Sequence, residues 1–333
     1  MTAPPPEVTF VLCIEQNALR AQALLLCETI RQFGGRHADA SILAFAPRPG
    51  YGVDAATKRA LAALAVEYVD EPLNLLCPEY GSANRVFSAA RAETLARTEW
   101  LVVLDSDTLV LDELQLPADA DVAVRPVDTR GSATTGHVGD SFFEYWQRMA
   151  ALGGISLERL PWMEPTDRGS RIRASYNGGL VVVRRERRLL QAWADLFARS
   201  VTEGLKPWRG SGLDVRASTG RVGTAAGEYW GSNQAALAVT VWSLTDRVHV
   251  YPDSYNVPLH MLVDRRTFPG WPVSRPLVHV HYHWLLTAPT HEDALTTLEG
   301  LGVQQERIAW LRERLPLLES GNQVPESASG RLE

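Results

Sequence analysis

Residues Trp100–Leu111 read Trp-Leu-Val-Val-Leu-Asp-Ser-Asp-Thr-Leu-Val-Leu. The first five are apolar, which predicts a buried strand, and the chain leaves that strand at Asp105. Because residues two apart share one side of an extended chain, Asp105 and Asp107 can face a common point. Two carboxylates without a softer ligand suit Mg²⁺ or Mn²⁺, and these ions also bind diphosphate oxygens. The stretch therefore predicts a divalent-metal site at the carboxyl end of a buried strand.

Strands and helices alternate on both sides of this stretch. Before it, the pattern predicts strands at Val8–Ile14, Ser41–Phe45 and Glu67–Val69, and helices at Asn17–Phe33, Thr57–Leu64 and Ser82–Arg97. After it, strands are predicted at Leu180–Val183 and Leu277–His283, and an amphipathic helix at Gln304–Leu318. This alternation predicts an α/β protein with a doubly wound, mostly parallel sheet and flanking helices. Ligands of such sheets bind at the carboxyl ends of the strands.

The composition argues against several functional classes. A general nucleic-acid binder would carry a basic field, whereas this chain of 333 residues has a net charge of -6. No uncharged apolar run approaches the roughly 20 residues of a membrane span, and no signal-peptide pattern is present. The three cysteines are widely spaced, which is typical of reduced, buried thiols. We therefore expect a cytoplasmic protein with no membrane span and no nucleic-acid partner.

The Asp-Ser-Asp-Thr-Leu motif also fits a different kind of enzyme. In haloacid-dehalogenase-type phosphatases the first Asp of such a motif attacks phosphorus, which would make Asp105 a nucleophile. That chemistry needs a downstream lysine and a further acidic pair, and Lys206 is the only lysine after the motif. The motif also usually opens a phosphatase chain, whereas about 100 residues precede it here. The phosphatase remains an alternative at this stage.

Four later segments carry polar residues beside predicted elements. They are Ser175–Val183 with an Asn-Gly-Gly turn, Tyr229–Leu237 with an amide pair at a helix start, Tyr251–Val257 with a Tyr-Asn pair, and Val278–Trp284 with three alternating histidines. Glycines in a turn before a strand permit close approach of the backbone to a ligand. The alternating histidines, His279, His281 and His283, are predicted to share one face of a strand. We expect one of them near the metal and the other two in structural roles.

Taken in order, these segments resemble the GT-A glycosyltransferases, particularly the family-8 type that includes glycogenin and bacterial galactosyltransferases. That family carries a Leu-Asp-x-Asp-Thr strand end, a Phe-Asn-Ala-Gly turn, an Asp-Gln helix start, a Trp/Tyr-Asn element and a His-Tyr/Phe segment. The resemblance runs from about Val8 to Trp284. It implies a GT-A (nucleotide-diphospho-sugar transferase) fold and metal-dependent transfer of a hexosyl group. The implied donor is a nucleotide-sugar, with a UDP-sugar favoured, and the acceptor is a sugar or small molecule.

The resemblance also assigns roles to residues by position. The implied metal ligands are Asp105, Asp107 and His281, and the implied metal is Mn²⁺ or Mg²⁺. The implied nucleotide-sugar contacts are Glu15, Asn17, Asn84, Arg85, Asp105, Gly178 and Gly179. Asn177 and Gln234 match residues of the family's catalytic centre, and Gln234 matches the amide near the anomeric carbon.

The prediction of stereochemistry depends on Gln234. Its neutral amide is a poor nucleophile, but the amide oxygen can stabilise positive charge that develops at the sugar carbon. This fits attack from the leaving group's own side with net retention, as in retaining family-8 enzymes. An inverting enzyme needs a carboxylate base, and Glu228 is the candidate for that role. Two departures from the family concern the same region: Asn233 stands where an Asp is usual, and the terminal segment lacks Lys-Pro-Trp.

We predict one catalytic domain over residues 8–318. Its donor-nucleotide half is predicted at 8–111, and the acceptor half with the C-terminal metal-ligand segment at 112–318. Residues 1–7 and 319–333 are polar and are predicted to be disordered tails. A non-catalytic sugar-nucleotide-binding relative remains a second alternative to the transferase.

Several aromatic and imidazole side chains receive no functional role from the sequence. His249, His260 and His291 are expected to be surface or hydrogen-bonded structural histidines. The aromatic stretch Phe142–Trp146, together with Trp162, is expected to belong to the core rather than to an acceptor platform.

Overall fold

The computed structural model describes residues 8–131, 133–208, 216–217, 220–263, 276–287 and 289–320. The helices are α1 Ala18–Phe33, α2 Ala55–Ala63, α3 Ala83–Leu95, α4 Phe143–Leu152, α5 Leu189–Thr202, α6 Thr224–Glu228, α7 Ser232–Leu244, α8 Leu259–Val263, α9 His291–Gly300 and α10 Gln305–Ser320. The strands are β1 Val8–Cys13, β2 Ser41–Phe45, β3 Val66–Val69, β4 Trp100–Leu104, β5 Thr108–Val110, β6 Val122–Pro126, β7 Trp162–Met163, β8 Ile172–Arg173, β9 Tyr176–Arg184, β10 Arg216–Ala217, β11 Gly220–Arg221, β12 Val248–Val250, β13 Val257–Pro258 and β14 His279–His281. The predicted tail 1–7 lies outside the described residues, as does 321–333, whereas 319 and 320 end α10.

Seven strands form the central sheet, in the order β12-β6-β9-β4-β1-β2-β3. Strands β4, β1, β2 and β3 are parallel, and β12 is parallel to β6. Strand β9 is antiparallel to both of its neighbours, β4 and β6. The predicted doubly wound, mostly parallel sheet is therefore confirmed.

Strand β4 is buried on both faces, which explains its uninterrupted apolar sequence. Leu101 and Val103 pack into the core beneath α3, α5 and α7, whereas Trp100, Val102 and Leu104 pack into the core beneath α1. Because β1 and β4 are adjacent and parallel, the chain leaves both at the same edge of the sheet. The residues that follow these two strands are thereby placed side by side.

The predicted Asn-Gly-Gly turn is wrong, because Asn177, Gly178 and Gly179 lie inside strand β9. This strand pairs with β4 up to Leu104, opposite Leu180, and its register with β6 shifts after Val124. Such an irregularity is a β-bulge, which bends the strand and changes the direction of its side chains. The glycine pair therefore lies in a bulge of β9 opposite β6, next to the last residue pair between β9 and β4. The turn was predicted because Asn-Gly-Gly is also typical of turns.

The histidine segment forms a shorter strand than predicted. Only His279–His281 belong to β14, which pairs antiparallel with β5 and parallel with β13. His283 has a φ of 56°, so it lies in a left-handed turn and does not continue the alternation. The reason is the length of β5, whose three residues end the ladder.

Other expectations about burial are met only in part. The three cysteines are free and buried, and Tyr145 and Trp146 belong to the core. Trp162 is 42% exposed, with the Arg173 guanidinium 4.4 Å from its ring centroid, so its assignment to the core is wrong. Among the described helices, none combines the length and the apolar character that crossing a bilayer requires.

Candidate active site

The two aspartates occupy the sharp connection between β4 and β5. The backbone N–H of Asp105 donates to the Gly179 carbonyl at 3.2 Å, which extends the β4–β9 pairing by one residue. The hydroxyl of Thr108 donates back to the Asp105 carbonyl at 2.7 Å. Ser106 donates to the carbonyl of Cys13, at the end of β1. Three hydrogen bonds thus hold the Asp-Ser-Asp turn from which both carboxylates extend.

Asp107 is buried against two histidines from the far end of the chain. Strand β14 pairs with β5 so that His281 lies opposite Thr108, and the Tyr282 N–H donates to the Asp107 carbonyl at 3.0 Å. His281 Nε2 is then 3.2 Å from Asp107 Oδ1, and His283 Nδ1 is 3.5 Å from Asp107 Oδ2. The expectation of one histidine beside the carboxylates is corrected to two.

The Asp107–His281 pair is charged in the metal-free protein. Burial alone would raise the pKa of Asp107, but the charge of His281 and hydrogen bonds from His281 and His283 hold it well below its usual range. Burial alone would lower the pKa of His281, but Asp107 outweighs it and raises that pKa to about 9. A metal ion bound by His281 would have to displace a proton from the imidazole.

Asp105 is paired with arginine. The Arg85 guanidinium, on α3, donates to Asp105 Oδ2, and His281 Nε2 is 3.9 Å from the same oxygen. A β-carbon at Gly178 would lie 2.6 Å from Arg85 Cζ, so the glycine leaves the space that the guanidinium occupies. Burial alone would lower the pKa of Arg85, but the Asp105 carboxylate raises it, so the arginine stays protonated. One wall of the site is thus a largely buried cation within reach of both aspartates.

Glu15 follows β1 and is fully buried. It accepts hydrogen bonds from Arg48 Nε at 2.6 Å and from a second nitrogen of that arginine. It also accepts from Asn84 Nδ2 at 2.8 Å and from Asn17 Nδ2 at 3.1 Å. A carboxylate has about four lone-pair sites, so these donors use its accepting capacity fully. Asn17 also caps α1 through its side-chain oxygen, at 2.8 Å from the Leu19 N–H.

The start of helix α7 supplies two amides. Asn233 is buried, accepts from the Tyr80 hydroxyl at 2.9 Å and donates to the Ser82 carbonyl at 3.3 Å. This neutral network occupies the place where the resemblance leads one to expect an Asp. Gln234 faces the opening between α7 and the aspartates.

Glu228 is directed elsewhere. Its carboxylate accepts a hydrogen bond from Lys206, and the residue does not line the cavity beside the aspartates. The same ion pair engages the lysine that the phosphatase alternative needs.

A cavity of about 420 Å³ joins these groups. The sequence-predicted residues that line it are Glu15, Asn84, Arg85, Asp105, Asp107, Asn177, Gln234 and His281. The other four, Asn17, Gly178, Gly179 and Glu228, do not line it. The structure therefore brings together residues separated by more than 260 positions, from Glu15 to His281.

The cavity-lining residues without a site assignment from the sequence include Asp128, His260 and His283; the sequence had left open which of the alternating histidines binds the metal. Asp128 follows β6 and accepts from Asn177 Nδ2 at 2.9 Å, and His283 and His260 line the same wall. Burial lowers the pKa of His260 to about 4, so its ring is neutral at neutral pH. His260 lines the cavity and its buried Nδ1 has no hydrogen-bond partner among the described residues, so it is neither the surface histidine nor the fully hydrogen-bonded one that was expected. A usable signal for Asp128 was its place just after a mostly β-forming segment that begins at Val122, although Arg125 and Pro126 interrupt its apolar pattern.

The donor set at Asp107 fits a divalent cation. Ligand atoms of Asp107, His281 and His283 all lie within 4.8 Å of one another. A mixed oxygen and nitrogen set suits Mn²⁺ better than Mg²⁺, which prefers oxygen alone.

Comparison with known proteins identifies the family. The profile of the Rhodobacterales glycosyltransferase domain matches residues 10–207, which is more than half of the chain. The chain therefore belongs to this glycosyltransferase family and is a glycosyltransferase. No curated protein matches it in sequence. The phosphatase alternative is accordingly not supported.

Solved structures are similar in fold. The apo structure of the bifunctional glycosyltransferase WbbM matches with a TM-score of 0.50 at 14% identity, covering 94% of this chain and 52% of WbbM. This chain thus spans about half the length of WbbM. The galactosyltransferase LgtC with donor and acceptor sugar analogs matches with a TM-score of 0.45 at 12% identity, covering 91% of this chain and 99% of LgtC. An active-site mutant of LgtC matches with a TM-score of 0.46 at 13% identity and the same coverage. The predicted GT-A fold is confirmed.

Proposed function

We propose that this glycosyltransferase moves a hexosyl group from a nucleoside-diphosphate sugar, a UDP-sugar, to a sugar or small-molecule acceptor, with retention and with a divalent cation bound. The observation that carries the proposal is the convergence of a buried carboxylate–imidazole pair, a largely buried arginine and a neutral amide on one cavity. Side chains suited to a metal ion, to a diphosphate and to a sugar therefore line the same cavity.

The cation-binding residues in this proposal are Asp107 and His281, with Asp105 beside them. When bound, Mn²⁺ or Mg²⁺ supplies positive charge that neutralises the diphosphate leaving group. Arg85 already neutralises Asp105, so the site without metal carries less negative charge than its two aspartates would give alone. The guanidinium is also placed to hold the diphosphate through charged hydrogen bonds.

The nucleotide is proposed to bind along the wall formed by Glu15 and Asn84, with Asn17 supporting Glu15 from behind through a hydrogen bond of 3.1 Å. The hydrogen bonds of Glu15 are all made within the protein, so it positions Asn84 and Arg48 rather than binding the base through its own oxygens. Residues 8–111 thus form the donor half. The acceptor half, 112–318, contributes Asn177, Gln234 and the histidine segment.

Retention is supported by what the cavity wall offers near the sugar carbon. Gln234 lines the cavity with a neutral amide, whereas Glu228 is ion-paired with Lys206 outside it. A base that deprotonates an acceptor must reach it within hydrogen-bond distance. In this proposal the amide oxygen of Gln234 stabilises the developing positive charge, and Asn177 orients the sugar from β9.

The test is a transfer and hydrolysis assay over a panel of nucleotide sugars, with and without Mn²⁺. We expect turnover of a UDP-sugar that requires metal and is lost in Asp107→Asn. Asp246→Asn is the matched control, because the Asp246 side chain is 72% exposed and pairs with Arg159 at the surface. Undiminished turnover in EDTA, or by Asp107→Asn, would overturn the proposal.

A further inference from the structure

A second cluster of metal-binding side chains lies on the wall of the same cavity. It consists of Asp128, His260 and His283, which come from three different parts of the fold. Asp128 follows β6, His260 lies in α8, and His283 follows β14. We call this set the Asp128 cluster.

The geometry of the Asp128 cluster is that of a ligand set. One potential ligand atom from each residue lies within 4.8 Å of the other two. The His260 and His283 rings meet edge to face, with centroids 4.5 Å apart. His260 Nδ1 is buried and has no hydrogen-bond partner among the residues that the structure describes, which is costly for a polar atom unless something else binds it.

The cluster is separate from the cation site proposed at Asp107 and His281. Neither Asp128 nor His260 belongs to the Asp107 set, and only His283 has ligand atoms near both. Since an imidazole has two ring nitrogens, His283 can serve the Asp128 cluster while Asp107 and His281 hold the other ion. The two sets therefore share one residue and line the same cavity, but each has two ligands of its own.

We propose that Asp128, His260 and His283 bind a second divalent cation of the Zn²⁺ class. Two imidazoles and one carboxylate form the ligand set of open zinc sites, in which a fourth position faces water or a small molecule. Here that position faces the cavity, because all three residues line it. Nitrogen-rich sets favour Zn²⁺ over Mg²⁺, so this ion differs in kind from the one that oxygen ligands would select.

The experiment measures bound zinc in the untagged full chain, stripped with EDTA and dialysed against Zn²⁺. We expect two equivalents in the natural protein. His260→Ala and Asp128→Asn should each lose one equivalent and keep the far-ultraviolet circular dichroism of the natural protein. His137→Ala is the matched control, since His137 is exposed and belongs to neither set, and it should keep two.

The possible outcomes separate this site from the donor-metal site. One equivalent that is lost in His281→Ala and kept in His260→Ala overturns the second site. One equivalent that is lost in His260→Ala and kept in His281→Ala supports the second site and contradicts the donor-metal assignment. Two equivalents in both His260→Ala and Asp128→Asn assign the extra ion to another place and overturn the proposal.

Discussion

A β-carbon placed on Gly179 would lie 2.7 Å from Nδ1 of His281. The same atom would be 2.7 Å from Oδ1 of Asn256, whose backbone has a φ of 48°. Glycine at this point of β9 therefore allows the histidine strand to lie against the central sheet. The contact joins the seven-stranded sheet to the three-stranded sheet β13-β14-β5 beside the aspartates.

Replacing Gly179 with alanine should push His281 away from Asp107. Since the contact is with a ring held between strands rather than with a flexible chain end, we expect Mn²⁺ affinity to fall at least about tenfold. Titration calorimetry with Mn²⁺ measures it. Gly81→Ala is the control, because a β-carbon there meets nothing within 4 Å. Equal affinity in both variants would show that β9 yields to the added carbon.

Glu15→Gln should destabilise the protein strongly. The change removes the charge that pairs with Arg48 and turns one acceptor oxygen into a donor, in a residue with no exposed surface. Breaking a buried ion pair costs about 3 to 5 kcal/mol, so a loss near the lower end is expected in urea unfolding. Glu71→Gln is the comparison, since the Glu71–Arg91 pair is more than a third exposed and should contribute about 1 kcal/mol or less. Similar losses in the two variants would contradict the central role of Glu15.

The metal-free protein should lose stability as the pH rises from about 6.5 to 9. The pKa of His281 in the folded protein is about 9, above the ordinary value of 6.5. Its contribution to stability is complete below pH 6.5 and is lost as the pH rises through 9. Thermal unfolding in EDTA measures this trend, and His281→Gln should remove it.

Metal binding should follow the opposite trend with pH. Because a bound ion replaces the proton on His281, Mn²⁺ affinity should increase between pH 6.5 and 9. An affinity that stays constant over this range would mean that His281 is not a ligand.

Catalysis should depend on Gln234, and the stereochemistry of the product should not depend on Glu228. In the proposed mechanism Gln234→Ala removes the oxygen that stabilises charge at the sugar carbon, so kcat should fall roughly 100-fold. Glu228→Gln removes the charge that pairs with Lys206, outside the cavity, so the linkage formed should be unchanged. Proton NMR of the product's anomeric coupling decides the question. A β-linked product from an α-linked donor would favour inversion and return Glu228 to consideration.

The local pattern of the chain was sufficient for the central part of the fold. Strand β4 and the turn at Asp105 and Asp107 were predicted, because complete burial on two faces imposes an unbroken apolar run. Strand β2 was predicted with its observed bounds, and α1 begins at Ala18, one residue after its predicted start at Asn17. These features depend on neighbours within a few residues, which a sequence displays directly.

The sequence by itself determined that carboxylates end a buried parallel strand and that a glycosyltransferase motif order follows. Tertiary structure alone decided that Arg85 neutralises Asp105, that Lys206 engages Glu228, and that His283 and His260 join the cavity wall. The physical reason is that these are pairings between side chains on separate elements. Their distances depend on how β9 bulges and how β14 docks on β5, and no periodicity along the chain records either arrangement.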